Sequence, residues 1–294
     1  MKPVKVFFSF FNILILLFIS SSCFADISVT DDLGNVVKLN FPAKRIVSLS
    51  PGTTELVFSA GGGQYVKGVV SYSDFPEAAK LIPQVGSYNA VDLEKIASLK
   101  PDLVVAWGSG NPPLQIQKLK KIGLTVFISE PREFSDIPAT IKKLGILMGT
   151  EEIAEKKIDD FNSRFSQLTE RYTGKYKQKS VFIQIWNKPV MSISGEHLIS
   201  KIIKNCNGVN IFENYPQLTL TPSIETIIAK NPDYIIASRQ GELGDKWLKR
   251  WEQWKFLTSV KNHQLITANP DNLVRHTPRI LDGMAEVCAL INKD

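Results

Sequence analysis

Cysteine, histidine and methionine are scarce in this 294-residue chain, which has three, three and four of them respectively. A transition-metal binder would need several His or carboxylate ligands to converge, and only three histidines are available. The catalytic signatures H-E-x-x-H, G-x-S-x-G and the phosphate-binding loop G-x-x-x-x-G-K-[ST] do not occur, so nothing points to metalloprotease, hydrolase or nucleotide-hydrolysing chemistry. No dense Lys/Arg block with interleaved aromatics is present, which argues against nucleic acid as a partner. After residue 25 no apolar run approaches the roughly 20 residues that a membrane-spanning helix needs. The sequence thus reads as a binder rather than an enzyme.

The first 25 residues do not belong to the fold. Lys2 and Lys5 give a basic start, Val6–Ile19 is an apolar run, and Cys23-Phe24-Ala25 places a small residue ahead of Asp26. This is the pattern of a secretory signal peptide. Cleavage after Ala25 is preferred to lipidation of Cys23, because Ser20-Ser21-Ser22 lacks the leucine found three residues before a lipidated cysteine. The mature chain is expected to be soluble and exported to the periplasm. Removing residues 1–25 takes away two positive charges and no negative ones, lowering the formal charge from +6 to +4. Cys206 and Cys288 remain. In an oxidising compartment two cysteines suggest one disulfide, the alternative being two buried thiols.

The chain is organised around a stretch that occurs twice. Residues 92–106 read DLEKIASLKPDLVVA and residues 223–237 read SIETIIAKNPDYIIA. Asp92 and Ser223 are N-cap candidates. Glu94 and Glu225 fall in the first helical turn, where the helix dipole favours negative charge. Pro101 and Pro232 close each helix, and apolar strands follow. Two ordinary helix-to-strand units would look alike on these grounds, and so would two similar lobes with an equivalent acidic spot on each.

The rest of the chain favours two lobes. Residues 27–41 suit a hairpin turning at Asp-Leu-Gly-Asn. From 44 to 130 strands and helices alternate, with strands at Arg45–Leu49, Val66–Val70 and Thr125–Ile128, which implies a parallel sheet covered on both faces. Residues 136–172 carry apolar positions at helical spacing, broken at Gly149-Thr150; the second and longer helix is read as a rigid link. Strand and helix alternation resumes at Ser180–Ile185. Trp247, Trp251 and Trp254 sit at i, i+4 and i+7, a helix packing face. The predicted fold is therefore α/β, two Rossmann-like lobes joined by one long linking helix with a ligand cleft between them. The segments are 1–25 leader, 26–135 N-terminal lobe, 136–176 linking region and 177–294 C-terminal lobe. Ligands of open α/β sheets lie beyond the carboxyl ends of strands. Here those loops hold Tyr72, Trp107, Trp186, Asp271, Arg275 and His276, an aromatic set with a few polar groups that suits a bulky, partly apolar molecule. A lone loop histidine such as His276 is more often solvated than a ligand.

The stretches RIVSLSPGTTEL, GVVSYSDFP, LEKIASLKPDLVVAW, SGEHL with NCNGVNIF, and VRHTPRILDGM resemble the periplasmic substrate-binding proteins of ABC importers that have a single rigid linking helix. Among these, the resemblance is greatest to the cobalamin-binding members and extends from about Arg45 to Asn292. It implies that Tyr72, Trp107 and the loop Asp271, Asn272, Leu273, Val274 and Arg275 touch a corrinoid. It implies that Glu94 and Glu225 dock on the permease dimer, which works with its ATPase subunits, and that Cys206 pairs with Cys288. It further implies a monomer that carries cobalamin as cargo and has no cofactor of its own. Departures are visible. Tyr88 and Asn272 stand where cobalamin binders have tryptophan, and a second-lobe tryptophan has no counterpart near Leu218–Thr221, leaving Trp186 as a substitute. A haem or ferric-siderophore carrier is the alternative, with Tyr72 as an oxygen ligand to iron and Arg275 facing a propionate or siderophore carboxylate.

Overall fold

A computed structural model describes residues 26–239 and 241–293; the leader and Cys23 lie outside the described residues. Two four-stranded parallel sheets form the frame. The first orders its strands as Val66–Gly68, Ile46–Ser48, Leu103–Trp107 and Val126–Ser129. The second orders them as Gly208–Asn210, Lys179–Gln184, Tyr234–Ala237 and Leu265–Thr267. Counted along the chain within each sheet, both run 2-1-3-4, so the two lobes share one topology as well as one repeated sequence. In such a sheet the order reverses beside strand 1, and the loops leaving strands 1 and 3 diverge to leave a crevice.

Both copies of the repeat build the third strand of their sheet and the helix before it, Leu93–Ser98 in one lobe and Ile224–Lys230 in the other. The Asp92 carboxylate accepts the Lys95 N–H at 2.9 Å and the Ser223 hydroxyl accepts the Thr226 N–H at 3.2 Å, as N-caps do. The Pro-Asp step has a further use. Asp102 Oδ2 accepts the N–H groups of Lys44 and Arg45 at 2.8 and 2.9 Å. Asp233 Oδ2 accepts the N–H and hydroxyl of Ser180 at 2.8 and 2.9 Å. In each lobe the same aspartate therefore ties the start of strand 3 to the start of strand 1.

Strand alternation divides the core. Ile46, Leu103, Val105, Val181, Ile183 and Ile236 point into one continuous apolar cluster that runs through the middle of the molecule. Val47, Val104 and Ala106 face an outer cluster on one lobe, and Phe182, Ile235 and Ala237 an outer cluster on the other. Trp251 is fully buried in that last cluster, edge-on to Phe182, with Trp247 and Trp254 packed around it. The tryptophan stripe is a packing face.

Two helices connect the sheets, Asp136–Met148 and Glu151–Tyr172, separated at Gly149, whose φ of +64° suits glycine. The second, 22 residues long, spans about 33 Å. It joins the shared core through Ala154, Phe161 and Tyr172 and contacts the C-terminal helix Ile280–Ile291, where Arg164 meets Asp282 at 2.6 Å. Cys206 and Cys288, 82 residues apart, form a disulfide that ties the end of helix Leu198–Asn205 to that same C-terminal helix. The segment expected as a loop at Asp271–Arg275 is partly helical: Asn269 caps a short helix, Pro270–Val274, by accepting the Asp271 N–H at 3.0 Å. Proline at the first helical position favours this turn, and it decides which side chains of the segment reach the cleft.

Candidate functional site

A cavity of about 490 Å³ lies where the crevices of the two sheets face each other. The N-terminal lobe contributes Ser50, Gly52, Leu56, Tyr72, Tyr88, Trp107, Ser129 and Pro131, and the C-terminal lobe contributes Arg239, Asp271, Val274, Arg275 and His276. Six of the sequence-derived binding residues meet here: Tyr72, Tyr88, Trp107, Asp271, Val274 and Arg275. Trp186, Asn272 and Leu273 are not in the lining. Trp186 lies against Trp247 with ring centroids 6.2 Å apart, and Leu273 is core.

The aromatic wall is built from backbone outward. Asn111, fully buried, accepts the Trp107 N–H at 2.6 Å and donates to the carbonyls of Leu49 at 2.9 Å and Tyr88 at 2.6 Å. One side chain thus fixes the end of strand 1, the end of strand 3 and the hairpin that presents Tyr88, and leaves the Tyr88 and Trp107 rings with centroids 6.1 Å apart. Gly110 lies under the indole: a Cβ there would stand 1.8 Å from a Trp107 ring carbon. A hydroxyl network supports the third aromatic. Thr54 Oγ1 lies within hydrogen-bond distance of Ser48 Oγ at 2.9 Å and of Ser73 Oγ at 3.1 Å, anchoring the residue next to Tyr72. Tyr72 itself is 78% exposed and has φ +66°, a conformation costly for a side-chain-bearing residue. Asn111, Gly110 and Ser73 were not singled out from the sequence, since ordinary loop composition hides their roles.

Beneath the cavity lies a charged cluster that joins the lobes. Glu55, on the helix Pro51–Ser59, is 2% exposed. It accepts Arg275 Nη1 at 3.1 Å, Thr277 Oγ1 at 2.8 Å, and Arg279 Nε and Nη2 at 3.0 and 2.6 Å. Arg275 also meets Asp74 at 2.6 Å and Asp271 at 3.0 Å. Burial would raise the Asp74 carboxyl, but its hydrogen bond to Arg275 and that residue's charge hold it below the usual 3.8. Burial would likewise lower Arg275, and its bonds to Asp74 and Glu55 outweigh that. The haem or siderophore alternative would set Arg275 against a ligand carboxylate, but three protein carboxylates already surround it. Arg239, exposed on the lining, makes no ion pair among the described residues and is the cation available to a ligand.

His276 is not solvated as a loop histidine would be. Its Nδ1 lies 2.8 Å from the Pro131 carbonyl and its ring packs edge-on to His197 at 5.4 Å. Burial pushes both rings below their usual 6.5, His197 to about 3. Ser129 Oγ, also in the lining, is buried without a hydrogen-bond partner among the described residues. No group of three or more His, Cys, Asp or Glu residues among the described residues is arranged to hold a metal ion. Glu94 and Glu225 are not in this lining, each exposed in the first turn of its own lobe's repeat helix. The main-chain hydrogen bond at Glu225 and the Ser223 hydroxyl keep the Glu225 carboxyl below 4.5.

Comparison with known proteins agrees with this architecture. The vitamin B12-binding protein of Vibrio cholerae is 34% identical over 255 residues, covering 85% of this chain and 90% of that protein. Its namesake from Yersinia pestis is 32% identical over 250 residues, covering 84% and 85%. The crystal structure of the periplasmic vitamin B12 binding protein BtuF of Vibrio cholerae superposes with a TM-score of 0.79, covering 85% of this chain and 97% of that one. The heme-binding protein BhuT, solved with two hemes, superposes with a TM-score of 0.75 at 18% identity and covers 85% and 98%; that likeness is one of fold. A family model described as "Periplasmic binding protein" matches residues 46–272, and the chain belongs to that family.

Proposed function

We propose that this protein captures cobalamin or a related corrinoid in the interlobe cleft and delivers it, without chemistry, to an ABC importer. The observation that carries the reading is the aromatic wall of Tyr72, Tyr88 and Trp107 facing a polar rim of Asp271 and Arg239 across one cavity. Flat, apolar ring systems pack on aromatic faces, and Arg239 suits the phosphodiester that a cobalamin carries. The orphaned Ser129 hydroxyl fits a ligand with an amide-rich periphery. The relatives named vitamin B12-binding protein support the same cargo. A corrinoid exceeds a cavity of about 490 Å³, so part of it lies at the mouth, where Tyr72 and Val274 are exposed.

In this reading the leader is removed after Ala25 and the mature protein works in the periplasm as a monomer of lobes 26–135 and 177–294 with the linking region 136–176. Glu94 and Glu225, one on each lobe, dock on the two halves of the permease dimer that its ATPase subunits drive. The corrinoid is cargo, and no cofactor of the protein's own is needed. Titration of the purified protein with cyanocobalamin, haemin and a ferric siderophore tests the assignment. Saturable binding of cyanocobalamin alone is expected. Preferential binding of haemin, seen as a Soret band that persists through gel filtration, would reject it.

A further inference from the structure

We propose that His276 is an axial ligand to the metal of the cargo: its Nε2 replaces a labile ligand on the cobalt of the bound corrinoid. The inference rests on the cobalamin reading above and goes beyond it. His276 stands in the cavity wall. Its Nδ1 faces the Pro131 carbonyl at 2.8 Å; a carbonyl only accepts, so the ring hydrogen is on Nδ1 and Nε2 keeps its lone pair. No group among the described residues pairs with that Nε2. An imidazole whose other nitrogen donates to a main-chain carbonyl is the arrangement by which proteins orient and strengthen histidine ligands to metals.

The neighbours hold the ring in this state. His197 Nδ1 accepts the Ile199 N–H at 3.2 Å, so its own hydrogen sits on Nε2, and it packs edge-on against His276. Burial disfavours the imidazolium form of both rings, so Nε2 stays unprotonated at neutral pH. No group of three or more His, Cys, Asp or Glu among the described residues is arranged to hold a free metal ion. A metal already held by a macrocycle needs only one donor from the protein, and the wall offers one. The Ser129 hydroxyl, two residues before Pro131, is buried in the same wall without a partner among the described residues, a second polar position left open on that side of the cavity.

The step is a ligand substitution. The Nε2 lone pair forms a Co–N bond as the Co–O bond to a coordinated water breaks; the water leaves intact, no proton moves and cobalt keeps its oxidation state. Only a corrinoid with an exchangeable upper ligand can undergo it. Two cobalamins therefore form the test, aquocobalamin and cyanocobalamin, each titrated into the purified protein and followed by visible absorption. Aquocobalamin is expected to shift its bands on binding toward those of an imidazole-ligated cobalamin, and cyanocobalamin to bind with its spectrum unchanged. His276→Gln, checked with His276→Asn, should lose the shift when aquocobalamin is added to saturation. If wild-type protein binds both forms with no shift, or if the shift survives in both variants, the ligation is wrong and the cobalamin reading stands. If neither cobalamin binds, that reading falls and takes the ligation with it.

Discussion

Replacing Glu55 with alanine tests whether the buried cluster beneath the cleft holds the lobes together. The substitution removes four hydrogen bonds at once. Arg275 loses one partner but keeps Asp74 at 2.6 Å and Asp271 at 3.0 Å. Arg279 loses both of its carboxylate hydrogen bonds and retains the face of Phe75, 4.1 Å away, and the more distant charge of Asp74. Stranding a buried charge costs roughly 3–5 kcal/mol. Arg279 is 19% exposed and can recover some hydration, so the expected loss is about 2–4 kcal/mol. Guanidinium denaturation monitored by tryptophan fluorescence measures it. A second arm separates the charge from the packing: if the stranded Arg279 is the cause, Glu55→Ala with Arg279→Met should recover at least about 1 kcal/mol over the single variant. A loss below about 1 kcal/mol, or no recovery in the double variant, would refute the clasp.

Three other outcomes follow from the geometry. Trp107→Ala should weaken cyanocobalamin binding by about 1–3 kcal/mol; unchanged affinity by calorimetry would remove the indole from the site. Changing Glu94 and Glu225 together to alanine should abolish uptake in cells that depend on this carrier while leaving affinity for cargo intact, and a large loss of affinity would refute the docking role. The folded state holds His197 and His276 neutral by burial, whereas the unfolded chain protonates them near pH 6.5. Folded pKa values lie below unfolded ones, so stability should fall as pH drops below about 6.5, for His197 down to about 3 and by up to ~1.4 kcal/mol per pH unit, with His276 adding to the loss in the same direction. Equal denaturation midpoints at pH 7.5 and 5.5 would contradict this.

The repeat was the most legible part of the chain. Caps and hydrophobic period are local, so Asp92, Ser223 and the strands after Pro101 and Pro232 could be placed from residues alone; the alternation implied parallel sheets, but the 2-1-3-4 order is set by long-range pairing and was not legible. The aromatic wall was half legible. Tyr72 and Trp107 stand at strand ends, where the rule for open sheets puts ligands, but the seat that orients them depends on Asn111 reaching Leu49, 62 positions away. Nothing local marks that asparagine. The partners of Arg275 were hidden for the same reason: its neutralising Glu55 lies 220 positions back. The short helix Pro270–Val274 was missed because one capped turn leaves too little apolar period to see.

The clasp also bears on the order in which the molecule completes itself. Glu55 leaves the ribosome early, but its partners Arg275, Thr277 and Arg279 follow more than 200 residues later. Until they arrive, the first lobe must either expose that carboxylate to water or bury an uncompensated charge, and burial is the costlier choice. The lobe's cleft-facing helix Pro51–Ser59 therefore cannot settle into its final seat on its own. Closure of the binding cleft waits for the last segment of the chain, so a nascent or truncated protein presents no finished pocket to compete for cargo.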